Sequence, residues 1–219
     1  MGLPLLKQGL AALGLTEISD AACADLLWYL EELRRWNRHH NLTAIDDLAV
    51  GIEKHLLDSL TLLPFLSGRE RLLDIGSGAG LPGLILKIAR PELDLLSIDG
   101  VAKKVRFQRH VIRQLGLHKA QASALRIEAL ITDPVYSGSF DVIVFRALGS
   151  LERFVPLALP CLTPPGRFLL MKGPEGVAEL AAAEDRLTEC GLRCLRQQEL
   201  TLPGSGARRL ILELGRPSD

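Results

Sequence analysis

The chain has 219 residues, of which 47% are hydrophobic and 24% charged. This length and composition predict one sizeable globular domain with a small appendage. The 26 basic and 26 acidic residues cancel, which excludes a protein that coats nucleic acid with a basic surface, so any polynucleotide must be met by a local patch. No run of eighteen apolar residues exists, so we expect no membrane span.

The N-terminal segment carries a single lysine and no small-residue cleavage site. We therefore expect no secretory signal and a cytoplasmic protein. Cys23, Cys161, Cys190 and Cys194 are scattered without a C-x-x-C pair. This spacing favours buried thiols over a disulfide framework or a zinc site, and the sequence predicts no metal centre.

Residues 1–66 are predicted to form an N-terminal helical extension packed on the core. One helix is predicted over residues 20–36, with Ser19 as its cap. Glu31 and Arg35 are spaced i,i+4 and are expected to pair on its surface. The helix gives way to a cluster of cationic and titratable side chains.

Turn residues follow this predicted helix at Asn37 and Asn41. A further helix is predicted to begin at Asp46 or Asp47 and to end near Pro64. The remainder, residues 67–219, is predicted to form the main domain.

The stretch RLLDIGSGAGLPG, residues 71–83, reads as a buried strand that ends in a tight turn. Gly76, Gly78 and Gly80 alternate, so the backbone can take positive φ and leave room for a ligand. Pro82 suits the first turn of the helix that follows. A strand, a glycine turn and a helix N-terminus together predict a nucleotide-binding corner.

Two glycine fingerprints fit this corner. The dinucleotide pattern G-x-G-x-x-G begins at Gly78 and has Asp99 downstream, but its register is poor because Pro82 lies inside the match. The pattern D-x-G-x-G-x-G begins at Asp74 and resembles motif I of the class I S-adenosylmethionine-dependent methyltransferases. A glycine turn without a ligand is the third possibility.

Asp99 directly follows a second predicted strand, residues 93–98. In a doubly wound sheet the carboxyl ends of neighbouring strands meet at one ligand crevice. A carboxylate placed there can accept both hydroxyl protons of a ribose, which favours a nucleoside ligand over a solvated acid.

From residue 70 onward, strands and helices alternate, which predicts a Rossmann-like α/β fold. The sheet is expected to be mostly parallel, with helices on both faces and an antiparallel hairpin at its end. The seven predicted strands lie near residues 71–75, 93–98, 120–122, 139–145, 167–172, 192–200 and 208–214. Seven is the strand number of class I methyltransferases.

A predicted helix over residues 102–115 carries a concentrated basic charge. Residues 101–119 contain no acid, and their lysines and arginines are Lys103, Lys104, Arg106, Arg109, Arg113 and Lys119. A solvated helix face and a phosphate-binding surface are both compatible with this pattern.

Arg146 and Lys172 come at the ends of the fourth and fifth predicted strands and should point into the crevice of Asp99. Each cation either faces an anionic ligand or is paired internally, for Arg146 with Asp74. No nucleophile with its base can be assembled. This favours a reaction in which no proton is removed and positioning dominates.

Six motifs, one of them the glycine turn itself, make up a wider pattern. They are WNRHHNLT at residues 36–43, HLLDS at 55–59, LDIGSGAGLPG at 73–83, KKVRF at 103–107, RA at 146–147 and MKG at 171–173. Together they resemble the bacterial small-subunit ribosomal RNA guanine-N7 methyltransferase family, RsmG, formerly GidB. The resemblance covers most of the chain, from about residue 36 to residue 214.

The resemblance implies S-adenosylmethionine as cofactor, and a guanine of 16S ribosomal RNA in the small subunit as acceptor. The implied cofactor residues are Gly76, Gly78, Leu81, Asp99, Ile127, Glu128 and Arg146. The RNA-binding candidates are Lys103, Lys104, Arg106, Lys172, Arg208 and Arg209, and the guanine-positioning candidates are Arg146, Lys172 and Asn41. Gly100-Val101-Ala102 departs from the family, in which serine is commoner. Nothing in the sequence suggests more than a monomer.

Two further functions remain open from the sequence. A methyltransferase acting on a small molecule is compatible with zero net charge, but it leaves the basic helix unexplained. A non-catalytic, nucleotide-sensing RNA-binding protein is favoured only if the cofactor fails to bind.

Overall fold

The structure is a computed structural model that describes residues 2–146 and 149–217. Two long N-terminal helices, α1 (Gly2–Ala12) and α2 (Asp20–His40), open the chain. α2 begins at its cap Ser19, whose side chain accepts from the backbone of Ala22, as predicted. It runs four residues beyond the predicted end because Asn37 stays helical and its side chain accepts from the backbone of two later residues.

A broken helix follows at residues 48–60. It consists of α3 (Leu48–Gly51), a π-helical segment (Ile52–Leu57) and α4 (Asp58–Leu60). Asp47 caps it through the backbone N–H of Val50. A short 3₁₀ turn, Leu63–Phe65, then leads into the sheet.

The sheet has seven strands in the order β3-β2-β1-β4-β5-β7-β6. β7 is antiparallel to both of its neighbours, and the other described pairings are parallel. The strands are β1 (Arg71–Ile75), β2 (Asp94–Ile98), β3 (Ala120–Ser123), β4 (Phe140–Arg146), β5 (Leu162–Lys172), β6 (Arg193–Thr201) and β7 (Arg208–Gly215). The predicted fold class, with its closing hairpin, is confirmed.

Helices cover both faces of this sheet. They are α5 (Gly83–Ala89), α6 (Ala102–Gln114), α7 (Ile127–Leu130), α8 (Leu151–Ala158) and α9 (Gly176–Glu189). α5 begins at Gly83, so Pro82 is its N-cap residue and lies just before the first turn in which it was predicted. Among the residues that the structure describes, no helix is long and apolar enough to cross a membrane.

Alternate residues of the strands feed two apolar clusters. In β1, Leu72 packs with α2, α5 and α6, whereas Leu73 packs with α7, α8 and α9 on the opposite face. The first cluster also contains the buried leucines of residues 6–66. The N-terminal helices therefore share a continuous core with one face of the sheet, because their apolar stripes have no other surface to cover.

Polar contacts also tie the N-terminal helices to the last hairpin. Glu53 accepts hydrogen bonds from the backbone of Gly204 and Ser205 and from the Ser205 hydroxyl.

On α2, Arg35 pairs with Glu32 at 2.5 Å, so the predicted Glu31–Arg35 pair is wrong. Arg35 pairs with Glu32 because the Glu32 carboxylate is buried and is held in place by hydrogen bonds from Trp36 and His110.

Candidate active site

The carboxyl ends of the central strands form one edge of the sheet. Ile75 of β1 stands in register with Ile98 of β2 and Phe145 of β4. The residues that follow these three, Gly76, Asp99 and Arg146, consequently lie along that edge, as the strand ends predicted. Lys172 ends β5 at the same edge.

The glycine turn after β1 takes the predicted backbone conformation. Gly76, Gly78 and Gly80 have φ values of +69°, +60° and +96°. The Tyr29 hydroxyl donates to the carbonyl of Ala79 at 2.9 Å. These contacts fix a backbone that only glycine adopts easily, and they leave its free side open to a ligand.

Gln108 of α6 braces the same turn from another direction. Its amide donates to the Ser77 hydroxyl and to the carbonyl of Gly78, both at 2.8 Å. Gln108 is fully buried. A polar residue in the middle of a basic helix thus serves the turn rather than the surface.

Asp74 lies fully buried beneath the turn. Its Oδ2 accepts from the backbone of Gly83 at 2.8 Å, while its Oδ1 has no hydrogen-bond partner among the described residues. Burial raises the pKa of Asp74 to about 7, although the Gly83 N–H and Arg146 oppose the shift. An added Cβ at Gly83 would stand 2.7 Å from Oδ2, so this close contact between helix and strand requires glycine.

Asp99 connects β2 to the turn. Its Oδ2 accepts from the backbone of Gly78 and its Oδ1 from that of Val101, both at 2.8 Å. Lys104 lies 4.0 Å from Oδ2. Each carboxylate oxygen retains a lone pair, so Asp99 can order the loop and still accept hydroxyl protons.

A cavity of about 240 Å³, here called the Asp99 cavity, opens beside this carboxylate. Gly76, Asp99, Ile127 and Glu128 line it together, and these were four of the cofactor residues that the resemblance implied. Residues that the sequence did not single out also line it, namely Leu125, Arg126, Arg153 and Phe154. Nothing in their local pattern marks them, because α7 and α8 bring them there.

Leu81 belongs to the opposite side of the turn. Its side chain is buried in the apolar cluster that contains α2 and α5, and its backbone N–H donates to the carbonyl of Ser77. Only its backbone carbonyl is left to contact a ligand in the turn.

A second cavity, here called the Arg146 cavity, has a volume of about 500 Å³. Three cations line it, Arg146, Lys172 and Arg209, together with the acids Asp58, Glu175 and Glu179. Their formal charges cancel. The cavity can therefore hold a polar ligand without a large net field.

Lys172 is tied to the wall of this cavity. Its ammonium group lies 2.9 Å from Glu179 and 3.2 Å from the carbonyl of Gly149. Arg146 is held more loosely, 3.9 Å from Asp58 and 3.4 Å from the Ser59 hydroxyl. Of the two alternatives that the sequence left open, Lys172 is paired internally. Arg146 is paired as well, with Asp58 rather than with the Asp74 that the sequence suggested, but these loose contacts leave guanidinium donors for a ligand.

His55, the first residue of the HLLDS motif, is buried. Its Nε2 lies 3.0 Å from the Thr43 hydroxyl, and burial together with Arg146 lowers its pKa to about 4. Asn41 ends α2 in the left-handed conformation, at φ +47°, and is exposed. The loop of Asn41 is thus fastened to the helix that carries Asp58.

The basic helix α6 presents several of its cations to solvent. Its buried face consists of Val105, Phe107, Gln108 and Val111, while Arg106 is exposed and Lys103 half-buried. Neither of these two cations has an ion pair within the described part of the chain. Arg208 is exposed and paired with Glu199. Ala147, quoted with Arg146 in the sequence motif, lies outside the described residues.

No group of three or more His, Cys, Asp and Glu side chains in residues 2–146 and 149–217 is placed to hold a metal ion. Cys23 and Cys161 are buried as expected, whereas Cys190 and Cys194 are half-buried.

Residues 22–209 match the family model of GidB, described as rRNA small subunit methyltransferase G. The chain belongs to this family. A ribosomal RNA small subunit methyltransferase G from Syntrophotalea carbinolica is 47% identical over 211 residues, covering 96% of each chain. One from Geobacter sp. is 42% identical over 215 residues, 97% of this chain and 96% of the relative. The family resemblance found in the motifs is confirmed.

Solved structures bear on the fold of this methyltransferase family member. A SAM-dependent methyltransferase from Aquifex aeolicus superposes with a TM-score of 0.59 at 18% identity, over 80% of this chain and 96% of the other. At that identity the likeness shows the class I methyltransferase fold alone. The turn, Asp99 and its cavity fit S-adenosylmethionine. The glycine backbone is open to a ligand, and the buried Oδ1 of Asp74 beneath it has no hydrogen-bond partner among the described residues. These features suit the amino acid and nucleoside parts of the cofactor.

Proposed function

We propose that this protein transfers a methyl group from S-adenosylmethionine to N7 of a guanine in 16S ribosomal RNA. The observation that carries the proposal is the juxtaposition of two cavities at one sheet edge. The Asp99 cavity suits a nucleoside, and the larger Arg146 cavity is lined by cations and acids that suit a polar base. Family membership supports the substrate class.

Gly76, Gly78 and Leu81 would hold the cofactor through the backbone of the turn, and Asp99 through its carboxylate. Ile127 and Glu128 line the cavity wall on the far side. Arg146 completes the proposed cofactor set from the end of β4. The bound sulfonium supplies an electrophilic methyl group, and the protein supplies the position and orientation.

A guanine N7 already holds a lone pair, so the attack requires no general base. Holding donor and acceptor in line is then the main source of acceleration. Arg146, with donors left free by its loose internal contacts, is the first candidate for positioning the base. Lys172 would act through the wall that it forms with Glu179, and Asn41 from the loop after α2.

RNA would reach this edge across the basic surface of α6. Lys103, Lys104 and Arg106 would contact phosphates there, with Lys172, Arg208 and Arg209 on the other side of the Arg146 cavity. Such contacts position a polynucleotide without reading its sequence. The target base must be unpaired or extruded to enter a pocket.

The proposal extends to the organisation of the chain. Residues 1–66 form an extension that packs on a cofactor-binding domain of residues 67–219, and the protein works as a monomer on the small ribosomal subunit in the cytoplasm. The shared apolar cluster of the N-terminal helices and β1 supports a fixed extension rather than a mobile one.

The test uses methyl-labelled S-adenosylmethionine and small subunits from cells that lack this methyltransferase. Label should enter ribosomal RNA as a nucleoside that depurinates and permits strand scission after mild reduction and aniline. Label confined to an exocyclic amine, a ribose hydroxyl or a small metabolite would overturn the N7 assignment. Titration with S-adenosylmethionine and with NAD, by calorimetry, separates the methyltransferase from a dinucleotide-binding protein.

A further inference from the structure

One acid of the Arg146 cavity is left with a free acceptor. Asp58 lines the cavity and is 4% exposed. Its Oδ1 accepts from Arg209 Nε at 2.9 Å. Its Oδ2 lies 3.9 Å from Arg146 Nη1 and accepts no hydrogen bond from the described residues. One oxygen of this largely buried carboxylate is therefore left free to accept a hydrogen bond from a ligand in the cavity.

The other acids of this cavity are less suited to receive a donor. Glu179 already accepts from Lys172 and from the backbone of Leu151. Glu175 is exposed on the turn before α9, where water competes for its oxygens. Asp58 alone among the acids that line the cavity combines burial, a fixed orientation and an oxygen without a hydrogen bond.

Guanine and adenine differ at the edge that such an oxygen can read. Guanine carries a hydrogen on N1, whereas N1 of adenine is an acceptor with no hydrogen. An ionised carboxylate only accepts, so it bonds guanine N1 and repels adenine N1. N7 lies on the other edge of the purine and stays free for methyl transfer.

We propose that Asp58 is a specificity-determining residue whose Oδ2 accepts a hydrogen bond from N1–H of the target guanine in the Arg146 cavity. The inference rests on the proposed function. Arg209 holds the carboxylate in place through Oδ1, and Arg146 lies beside the base-reading oxygen. The N-terminal helical segment thus supplies a residue that touches substrate.

The same hydrogen bond assists the reaction. The N7 lone pair forms a bond to the methyl carbon as the bond from carbon to sulfur breaks, and the electron pair of that broken bond stays on sulfur, which becomes a neutral thioether. Positive charge moves onto the purine, which makes N1–H a stronger donor, while its proton stays on the base. An interaction that strengthens in the transition state raises the rate and not only the affinity.

The first experiment compares wild type with Asp58→Asn on small subunits whose target position is guanine or adenine. Asparagine keeps the shape and can still accept from Arg209, but it presents an amide N–H where Oδ2 stood. We expect kcat/KM on guanine to fall about 100-fold, mostly in kcat, the scale of losing one aligned transition-state hydrogen bond. Discrimination against adenine should fall with it.

Controls separate this inference from the function on which it rests. Glu189→Gln, at an exposed ion pair of α9, should behave as wild type, and Asp58→Asn should bind S-adenosylmethionine with unchanged affinity by calorimetry. Wild type that transfers no methyl group to N7 overturns both proposals. Wild type that does so, with Asp58→Asn equal in kcat and in discrimination, overturns the role of Asp58 alone.

A substrate change tests the same bond without altering the protein. Subunits reconstituted with 1-deazaguanine at the target keep N7, the 6-oxygen and the 2-amine but carry a C–H in place of N1–H. Wild type should lose about 100-fold in kcat on this substrate, whereas Asp58→Asn should lose little more than it has already lost. Equal rates of wild type on guanine and 1-deazaguanine would overturn the proposal, even if the variant failed to fold.

Discussion

The carboxylate of Asp99 accepts the backbone N–H of Gly78 at 2.8 Å, and this bond joins two strand ends that are separated in sequence by the whole of α5. The turn and the acid that should bind the two halves of a nucleoside cofactor are thereby one rigid unit. A change at Asp99 must affect both the ligand and the loop.

Replacing Asp99 with Ala should weaken S-adenosylmethionine binding by about 1–3 kcal/mol, the scale of lost charged hydrogen bonds. The free energy of unfolding should fall as well, because the N–H groups of Gly78 and Val101 lose their acceptor. Asp99→Asn keeps the shape and one acceptor and should lose less of both. Calorimetry and urea unfolding measure the two effects, and unchanged affinity in both variants would remove Asp99 from the site.

The cations of α6 can be tested by salt dependence. Replacing Lys103, Lys104 and Arg106 with Gln should reduce the slope of log affinity for RNA against log salt by about 0.7–0.9 for each phosphate that the protein no longer neutralises. Cofactor affinity should stay close to that of wild type. Arg186→Gln, at an exposed pair on α9, serves as the matched control. Equal slopes for the triple variant and the control would make this face merely solvated.

The contact between α2 and α6 through Glu32 and His110 should make the free energy of unfolding depend on pH. Burial works to raise its pKa, but hydrogen bonds from Arg35, His110 and Trp36 outweigh it and hold the pKa below its ordinary value. Its stabilisation is therefore present above the unfolded pKa and is lost as pH falls through the folded pKa.

The variant Glu32→Gln should thus lower the free energy of unfolding by roughly 1–3 kcal/mol near neutral pH. The deficit should shrink at acidic pH, where wild type is protonated too. Urea unfolding of both proteins between pH 3 and pH 7 measures this. A deficit that stays constant over the whole range would show that shape, not charge, explains the effect.

Asp74 should act in the opposite direction. Its pKa of about 7 in the folded protein lies above the ordinary 3.8, so between these values the folded state keeps a proton that the unfolded state has lost. Stability then falls as pH rises, by about 1.4 kcal/mol per pH unit for this one group.

Asp74→Asn removes that dependence while keeping an acceptor for Gly83. The variant should gain stability relative to wild type as pH rises from 5 to 7, and the difference should level off above that. Denaturant titrations at four pH values would measure the difference. A difference that does not vary with pH would mean that Asp74 is ionised in the folded protein at every pH tested.

Much of the cofactor side was predictable because it depends on local patterns. Strand ends, alternate glycines and the placement of Asp99 after β2 are read from short stretches, and parallel pairing then brings them to one edge. The Asp99 cavity contains Gly76 and Asp99 as a result, whereas Ile127 and Glu128, which also line it, were named only through the family resemblance. Element boundaries were predicted less accurately. α2 continues past Asn37 because the side chain of Asn37 accepts two backbone hydrogen bonds, and helix propensities do not include such contacts.

The acceptor side was harder to predict because its contacts are remote in sequence. Asp58 was noticed only as part of a motif, and its partners Arg146 and Arg209 come from two strands of the distant sheet. Lys172 was correctly placed at the edge, but its pairing with Glu179 depends on how α9 packs. Pairings of this kind depend on tertiary geometry that periodicity does not encode.

Asp58 and Arg209 are separated by 151 residues, so they leave the ribosome at very different times during synthesis. During synthesis the acid emerges long before its arginine, so a nascent chain can assemble β1, β2 and the glycine turn while the Arg146 cavity still lacks a wall. The hydrogen bond that Glu53 accepts from the backbone of Ser205 can likewise form only after that loop has been synthesised. A premature stop codon just ahead of position 209 would spare every residue that lines the Asp99 cavity and delete the one that holds Asp58 in place.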